Sequence, residues 1–231
     1  MNTHILAIDT ATEACSVALW RDGNIFRKFI ISPRERTRKI LPIVEQCLAK
    51  AHLNLQDISV VAFSRGPGSF TGVRISVGIA QGLALGVNLP IIGISSLLTM
   101  AQGAYRKSGV RKILVALDAR MGEIYSACYE LKNDGYWHGE ETEAVLKPEQ
   151  FLVKINRLSG KWAVAGKGWL AYPVLGMTNL NLLESGIYLP DAQDMLLIAL
   201  QAWKQGKTVR VEEAQPVYLR NENIWQKLPG R

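Results

Sequence analysis

Two aspartates that end apolar strands and one glycine-rich corner are the patterns in this sequence that could do chemistry. Asp9 closes the run Ile5-Leu-Ala-Ile8, and Asp118 closes Ile113-Leu-Val-Ala-Leu117. Each is followed by a small polar turn and another apolar run. A carboxylate so placed can face a phosphate and its metal ion across a cleft. It can equally cap its own turn through the backbone. The corner Gly66-Pro-Gly-Ser-Phe-Thr-Gly72 falls between a strand pattern and a helix pattern, where free backbone N–H groups can hold an anion. Asp9, Gly68, Ser69 and Thr71 are therefore the candidate anion-binding residues. A P-loop would end in Gly-Lys-Ser/Thr, and this corner reads Gly72-Val-Arg74. A tight strand-to-helix turn with Ser69 as its N-cap is the competing reading.

Other catalytic patterns are missing. There is no His-x-x-x-His, no Cys-x-x-Cys and no Gly-x-Ser-x-Gly. His4, His52 and His138 lie too far apart for a local metal motif, and no metal ligand set is assigned. Cys15, Cys47 and Cys128 are odd in number and scattered, which fits a reducing compartment and a cytoplasmic protein rather than a disulfide framework. Cys15 and Cys128 fall in apolar strands and are expected in the core. Glu140, Glu141 and Glu143 read as a solvated acidic cluster.

The elements that must position these residues repeat. An antiparallel meander, with a turn at Asp22-Gly23, is expected from Ile5 to Ile31. Ser32-Pro-Arg-Glu35 announces a helix, with apolar positions at Ile40, Leu41, Val44, Cys47, Leu48 and Ala51. Pro42 inside it predicts a kink or a late start. A strand at 58–63, a helix at 70–86, a strand at 91–94 and a helix at 95–106 follow. Sliding the chain by 109 residues superposes Asp118 on Asp9, Ala116 on Ala7 and Ala127 on Ala18. The pattern predicts a duplicated lobe, with lobes at 1–110 and 111–231 and a helix at 191–205. That last helix is a candidate to pack back on the first lobe.

Composition is ordinary for a globular α/β protein of 231 residues, with 48% hydrophobic and 20% charged residues, so disorder and coiled coil are excluded. The chain opens without a secretory pattern. Residues 75–105 carry no charge, but Asn88-Leu-Pro90 breaks the stretch into pieces too short to span a membrane. The net charge of +7 is uneven: residues 1–112 hold 14 basic and 6 acidic groups. Arg34, Arg36, Arg38 and Lys39 are the densest run, a solvated helix face or a contact for a polyanion. No aromatic residue interleaves with that run.

Gly78, Gly82 and Gly86 recur every four residues in the second helix. Each glycine costs about 1 kcal/mol against alanine in a helix interior. Three on one face imply close packing, within the chain or against another chain.

Four segments together resemble the TsaB (YeaZ) family: residues 5–19, Arg65-Gly-Pro-Gly-Ser-Phe-Thr-Gly-Val-Arg74, Leu117-Asp-Ala-Arg-Met-Gly-Glu-Ile-Tyr125 and Pro216-Val-Tyr-Leu-Arg220. The resemblance runs end to end. It implies a duplicated two-lobed fold of the actin/Hsp70/sugar-kinase type. It also implies a role in making threonylcarbamoyladenosine beside the tRNA anticodon, as the non-catalytic partner of a TsaD-type paralogue, with a TsaE-type ATPase in the complex. No intrinsic cofactor is implied; ATP or ADP belongs to the assembled complex, and tRNA contact is indirect. The implied partner surface maps onto Leu41, Val44 and Leu48 of the first helix and Ile75, Gly78, Ile79 and Gly82 of the second. A homodimer through the same face is the competing union. Gly166-Lys-Gly168 faintly echoes an adenosine-contacting loop. Independent nucleotide-dependent enzyme and direct tRNA-binding module are the rival readings.

Overall fold

In the computed structural model the described residues are 3–33 and 35–220. Arg34 of the basic run, and the end of the second lobe from residue 221, lie outside them.

The chain begins with a meander of β1 (His4–Asp9), β2 (Ala14–Arg21) and β3 (Asn24–Ile31). Its tight turn at Asp22-Gly23 uses positive φ at both residues, 49° and 86°, which is why Asp-Gly stands there. α1 (Arg36–Lys50) starts four residues beyond Ser32. Ser32 is tied to Glu13 by its N–H instead of capping the helix, and Pro42 falls inside the second turn. β4 (Val60–Gly66), α2 (Phe70–Gly86), β5 (Ile91–Ser95) and α3 (Ser96–Ser108) follow. Ser95 Oγ accepts the Leu97 and Leu98 N–H groups and fixes where α3 begins.

The same sequence of elements then recurs. β6 (Lys112–Arg120), β7 (Glu123–Leu131) and the short β8 (Trp137–His138) make a second meander. β9 (Ala144–Leu146) pairs with β7, and α4 (Pro148–Ile155), β10 (Lys161–Ala165), α5 (Gly168–Ala171), β11 (Asn181–Glu184) and α6 (Ala192–Lys204) complete the chain. The first sheet has the order β3-β2-β1-β4-β5 and the second β8-β7-β6-β10-β11. In each, two antiparallel pairings are followed by two parallel ones, β4 on β1 and β5 on β4, then β10 on β6 and β11 on β10. The duplication therefore holds in topology where sequence identity is sparse.

The last helix of each half crosses over. α6 covers the first sheet through Ala192, Met195, Leu196 and Ala199, against Ile5, Ala7 and Val60. α3 covers the second sheet through Leu97, Met100 and Ala104, against Ile113, Val115 and Tyr129. The other face of the first sheet is covered by α1 and α2, and that of the second by α4 and α5. The central strands β1, β4, β6 and β10 are buried on both faces, which explains their near-continuous apolar runs, while the edge strands β3 and β11 are exposed or half-buried along their length.

Candidate functional site

Asp9 sits fully buried at the end of β1. Its Oδ1 accepts the Ala11 N–H at 2.9 Å, which closes the turn. Its Oδ2 has no hydrogen-bond partner among the described residues. Burial pushes its pKa up to about 6; the Ala11 N–H and the Ser64 hydroxyl, itself joined to Ser96, offset this only in part. Asp118 repeats the turn in the second lobe, accepting the Arg120 N–H at 2.9 Å and the Tyr172 hydroxyl at 3.1 Å. Both aspartates thus hold their own turns.

The glycine corner is pressed onto the β1–β2 turn. A Cβ on Gly68 would come inside 3.0 Å of the Ala11 carbonyl, and one on Gly72 inside 3.0 Å of the Thr10 carbonyl and the Arg36 guanidinium. Ser69 donates its N–H to Ala11 O at 2.7 Å and caps α2 by accepting from Gly72 N. Thr10 Oγ1 donates to Gly72 O at 2.7 Å, and Arg36 reaches the Thr10 and Thr12 carbonyls. The Ser69, Gly72 and Val73 N–H groups are spent inside the chain. Gly68 and Gly72 serve a backbone-on-backbone contact, and Ser69 serves as the N-cap. Thr71 is exposed. In the second lobe Gly166 and Gly168 press in the same way on the Ala116 carbonyl, and Lys167 between them pairs with Glu13 of the first lobe.

The α1–α2 face separates into two kinds of residue. Val44 is 2% exposed and belongs to the first-lobe core, which corrects its assignment to a partner surface. Leu48 and Ile79 are partly buried against that core. Leu41 is 42% exposed, Ile75 is half-buried, and Gly78 and Gly82 are exposed. A Cβ built on Gly78, Gly82 or Gly86 meets nothing within 4 Å. No neighbour among the described residues requires these glycines. Leu85 is exposed on the same helix.

Two features escaped the sequence. Glu143 is buried, not solvated; it accepts from the Ser95 hydroxyl and the Tyr129 hydroxyl, and burial raises its pKa. Neighbouring Glu140 pairs with Arg65 of β4 at 2.5 Å, so the acidic cluster is an interlobe clasp. The second is an exposed cluster of Phe70, Arg74 and Tyr218. Tyr218 reaches it from the far end of the chain, so no local spacing could reveal it. Cys15 is buried in the first-lobe core, and Cys128 is half-buried against the second-lobe core. Among the described residues no group of His, Cys, Asp and Glu could hold a metal ion, and no helix is long and apolar enough to cross a membrane.

Two sheets of one topology, each with an aspartate at or near the end of its first strand and a glycine corner pressed on that strand's end, define the duplicated two-lobed fold of the actin/Hsp70/sugar-kinase class. Residues 30–215 match the family model described as TsaD, tRNA N6-adenosine threonylcarbamoyltransferase. A tRNA threonylcarbamoyladenosine biosynthesis protein TsaB from Escherichia coli is 58% identical over 98% of this chain and 99% of its own. One from Haemophilus influenzae is 43% identical over 100% and 99%. The solved YeaZ structure from Pseudomonas aeruginosa superposes with a TM-score of 0.82 at 39% identity, over 94% of this chain and all of its own. The chain belongs to the TsaB (YeaZ) family.

Proposed function

We propose that this protein serves tRNA threonylcarbamoyladenosine biosynthesis as the non-catalytic partner subunit of a TsaD-type transferase. It works in the cytoplasm, in a complex that also engages a TsaE-type ATPase. One observation carries the reading. α2 holds two glycines in its interior, Gly78 and Gly82, and a third at its end, Gly86, on a face that no described residue approaches. At about 1 kcal/mol each in a helix interior, that cost is offset only if another helix comes close enough to need the missing Cβ. Ile75 and the exposed Leu85 of α2, with the exposed Leu41 of α1, supply apolar contact for it.

The glycine corner supports the same reading, since it is packed on the β1–β2 turn. Any ATP or ADP belongs to the assembled complex. The same α1–α2 face serves a homodimer when the transferase is absent, so the two unions compete.

Size-exclusion chromatography with a purified TsaD-type paralogue tests this. The two chains should co-elute, and Gly82→Arg should abolish co-elution without unfolding the chain. A folded Gly82→Arg variant that still co-elutes fully overturns the interface. Turnover of ATP by the isolated chain, lost in Asp9→Asn, overturns the non-catalytic role.

A further inference from the structure

Phe70 opens α2, and Arg74 stands one turn further along the same face. The tail brings Tyr218 alongside. The Phe70 and Tyr218 ring centroids are 6.0 Å apart with planes 33° from parallel. The Arg74 guanidinium lies 3.3 Å from the Phe70 centroid and 5.2 Å from that of Tyr218. Phe70 is 63% exposed and Tyr218 40%. Arg74 has no carboxylate in salt-bridge range among the described residues, unlike Arg65, Arg106 and Arg220.

The arrangement is built. The Val217 N–H donates to the Arg65 carbonyl at 2.8 Å. Two residues beyond Tyr218, Arg220 donates to the Ala119 carbonyl at 3.1 Å and pairs with Glu123 at 2.6 Å. The tail is thus pinned on both sides of Tyr218, and the ring is presented rather than left loose.

Two exposed aromatic rings bridged by a guanidinium that has no carboxylate partner among the described residues fit a flat, anionic partner. Aromatic rings accept any nucleobase by stacking, and the cation adds attraction for base and phosphate. Arg220, beside the tail's end of the cluster, also touches the sulfur of Met121. We propose that Phe70, Arg74 and Tyr218 form a stacking platform for an unpaired base of a single-stranded RNA segment. This rests on the reading above for the presence of tRNA in the assembly, and adds a direct contact by this chain's own residues.

The test uses tRNA transcript and a fluorescent single-stranded oligonucleotide, titrated by anisotropy against the chain and its complex with the paralogue, at low and moderate salt. Co-elution with the paralogue is read in parallel. The variants are Phe70→Leu/Tyr218→Leu, which keeps apolar bulk and removes the π faces, and Arg74→Ala. Each should weaken RNA binding by about tenfold or more while co-elution persists. Unchanged RNA binding overturns the platform. So does loss of co-elution with RNA binding intact, which makes the patch a protein contact, and so does failure of the wild-type chain and complex to bind RNA at low salt. If the wild-type chains never co-elute, the partner-subunit reading fails while RNA binding by the chain alone still decides the platform.

Discussion

Arg106 of α3 grips Asp194 of α6 with two hydrogen bonds, Nε to Oδ1 at 2.6 Å and Nη2 to Oδ2 at 3.0 Å. This pair joins the two crossover helices at the middle of the molecule. Asp194 is 3% exposed in its side chain, and Gly103 leaves the room it occupies, since a Cβ there would come 2.7 Å from Oδ2.

Arg106→Ala leaves that carboxylate buried and unpaired. Breaking a fully buried pair costs about 3 to 5 kcal/mol; the half-exposed arginine brings this to about 2 to 3 kcal/mol at pH 7.5. Burial already raises the Asp194 pKa and Arg106 opposes it, so removing Arg106 raises it further. A group whose folded pKa is raised loses stability as pH rises through that window. Urea unfolding should therefore show a larger deficit at pH 7.5 than at pH 5. An equal deficit at both would place the loss in packing alone.

Asp9 carries the opposite kind of test, because the wild-type residue is the strained one. Its pKa stands near 6 against 3.8, raised by burial. Between those values the folded chain holds the extra proton, so this group removes stability as pH rises, about 3 kcal/mol in all. Asn keeps the acceptor for the Ala11 N–H and has no charge to bury. Asp9→Asn should be more stable than wild type at pH 7.5, with the advantage vanishing near pH 4. Destabilisation at pH 7.5 would mean that Oδ2 has a partner in solution.

Gly68→Ala and Gly166→Ala test the backbone contacts that fill the two corners. Each new Cβ would collide with a carbonyl, and Gly166 also has φ of +105°. Both should lose about 2 to 4 kcal/mol in thermal or urea unfolding. A near-neutral Gly68→Ala would show that the corner can open, and would return it to the anion-binding reading.

The duplication is legible because each half starts with an apolar strand that carries Asp at or near its end, and strands buried on both faces leave unbroken apolar runs. α2 ran from Phe70 to Gly86 as its pattern said, since Ser69 caps it and the glycines mark its far half. α1 was harder. Periodicity finds an apolar stripe but not where the stripe ends, so Val44, at its centre, was grouped with Leu41 at its margin. The edge elements β8, β9 and β11 and the short α5 are too brief for either period to register. Glu143 was misplaced because its burial depends on Tyr129 and Ser95, which only the fold brings to it.

The exposed glycines of α2 bear the weight of the functional account, and a calorimetric titration of the Gly78→Ala/Gly82→Ala double variant with the TsaD-type paralogue tests it most directly. With open space at both positions, the alanines should raise the stability of the isolated chain by about 1 to 2 kcal/mol. The same methyl groups should weaken paralogue binding by about tenfold or more, because a closely packed helix has no room for them. A double variant that is more stable and binds as tightly as wild type would contradict the account.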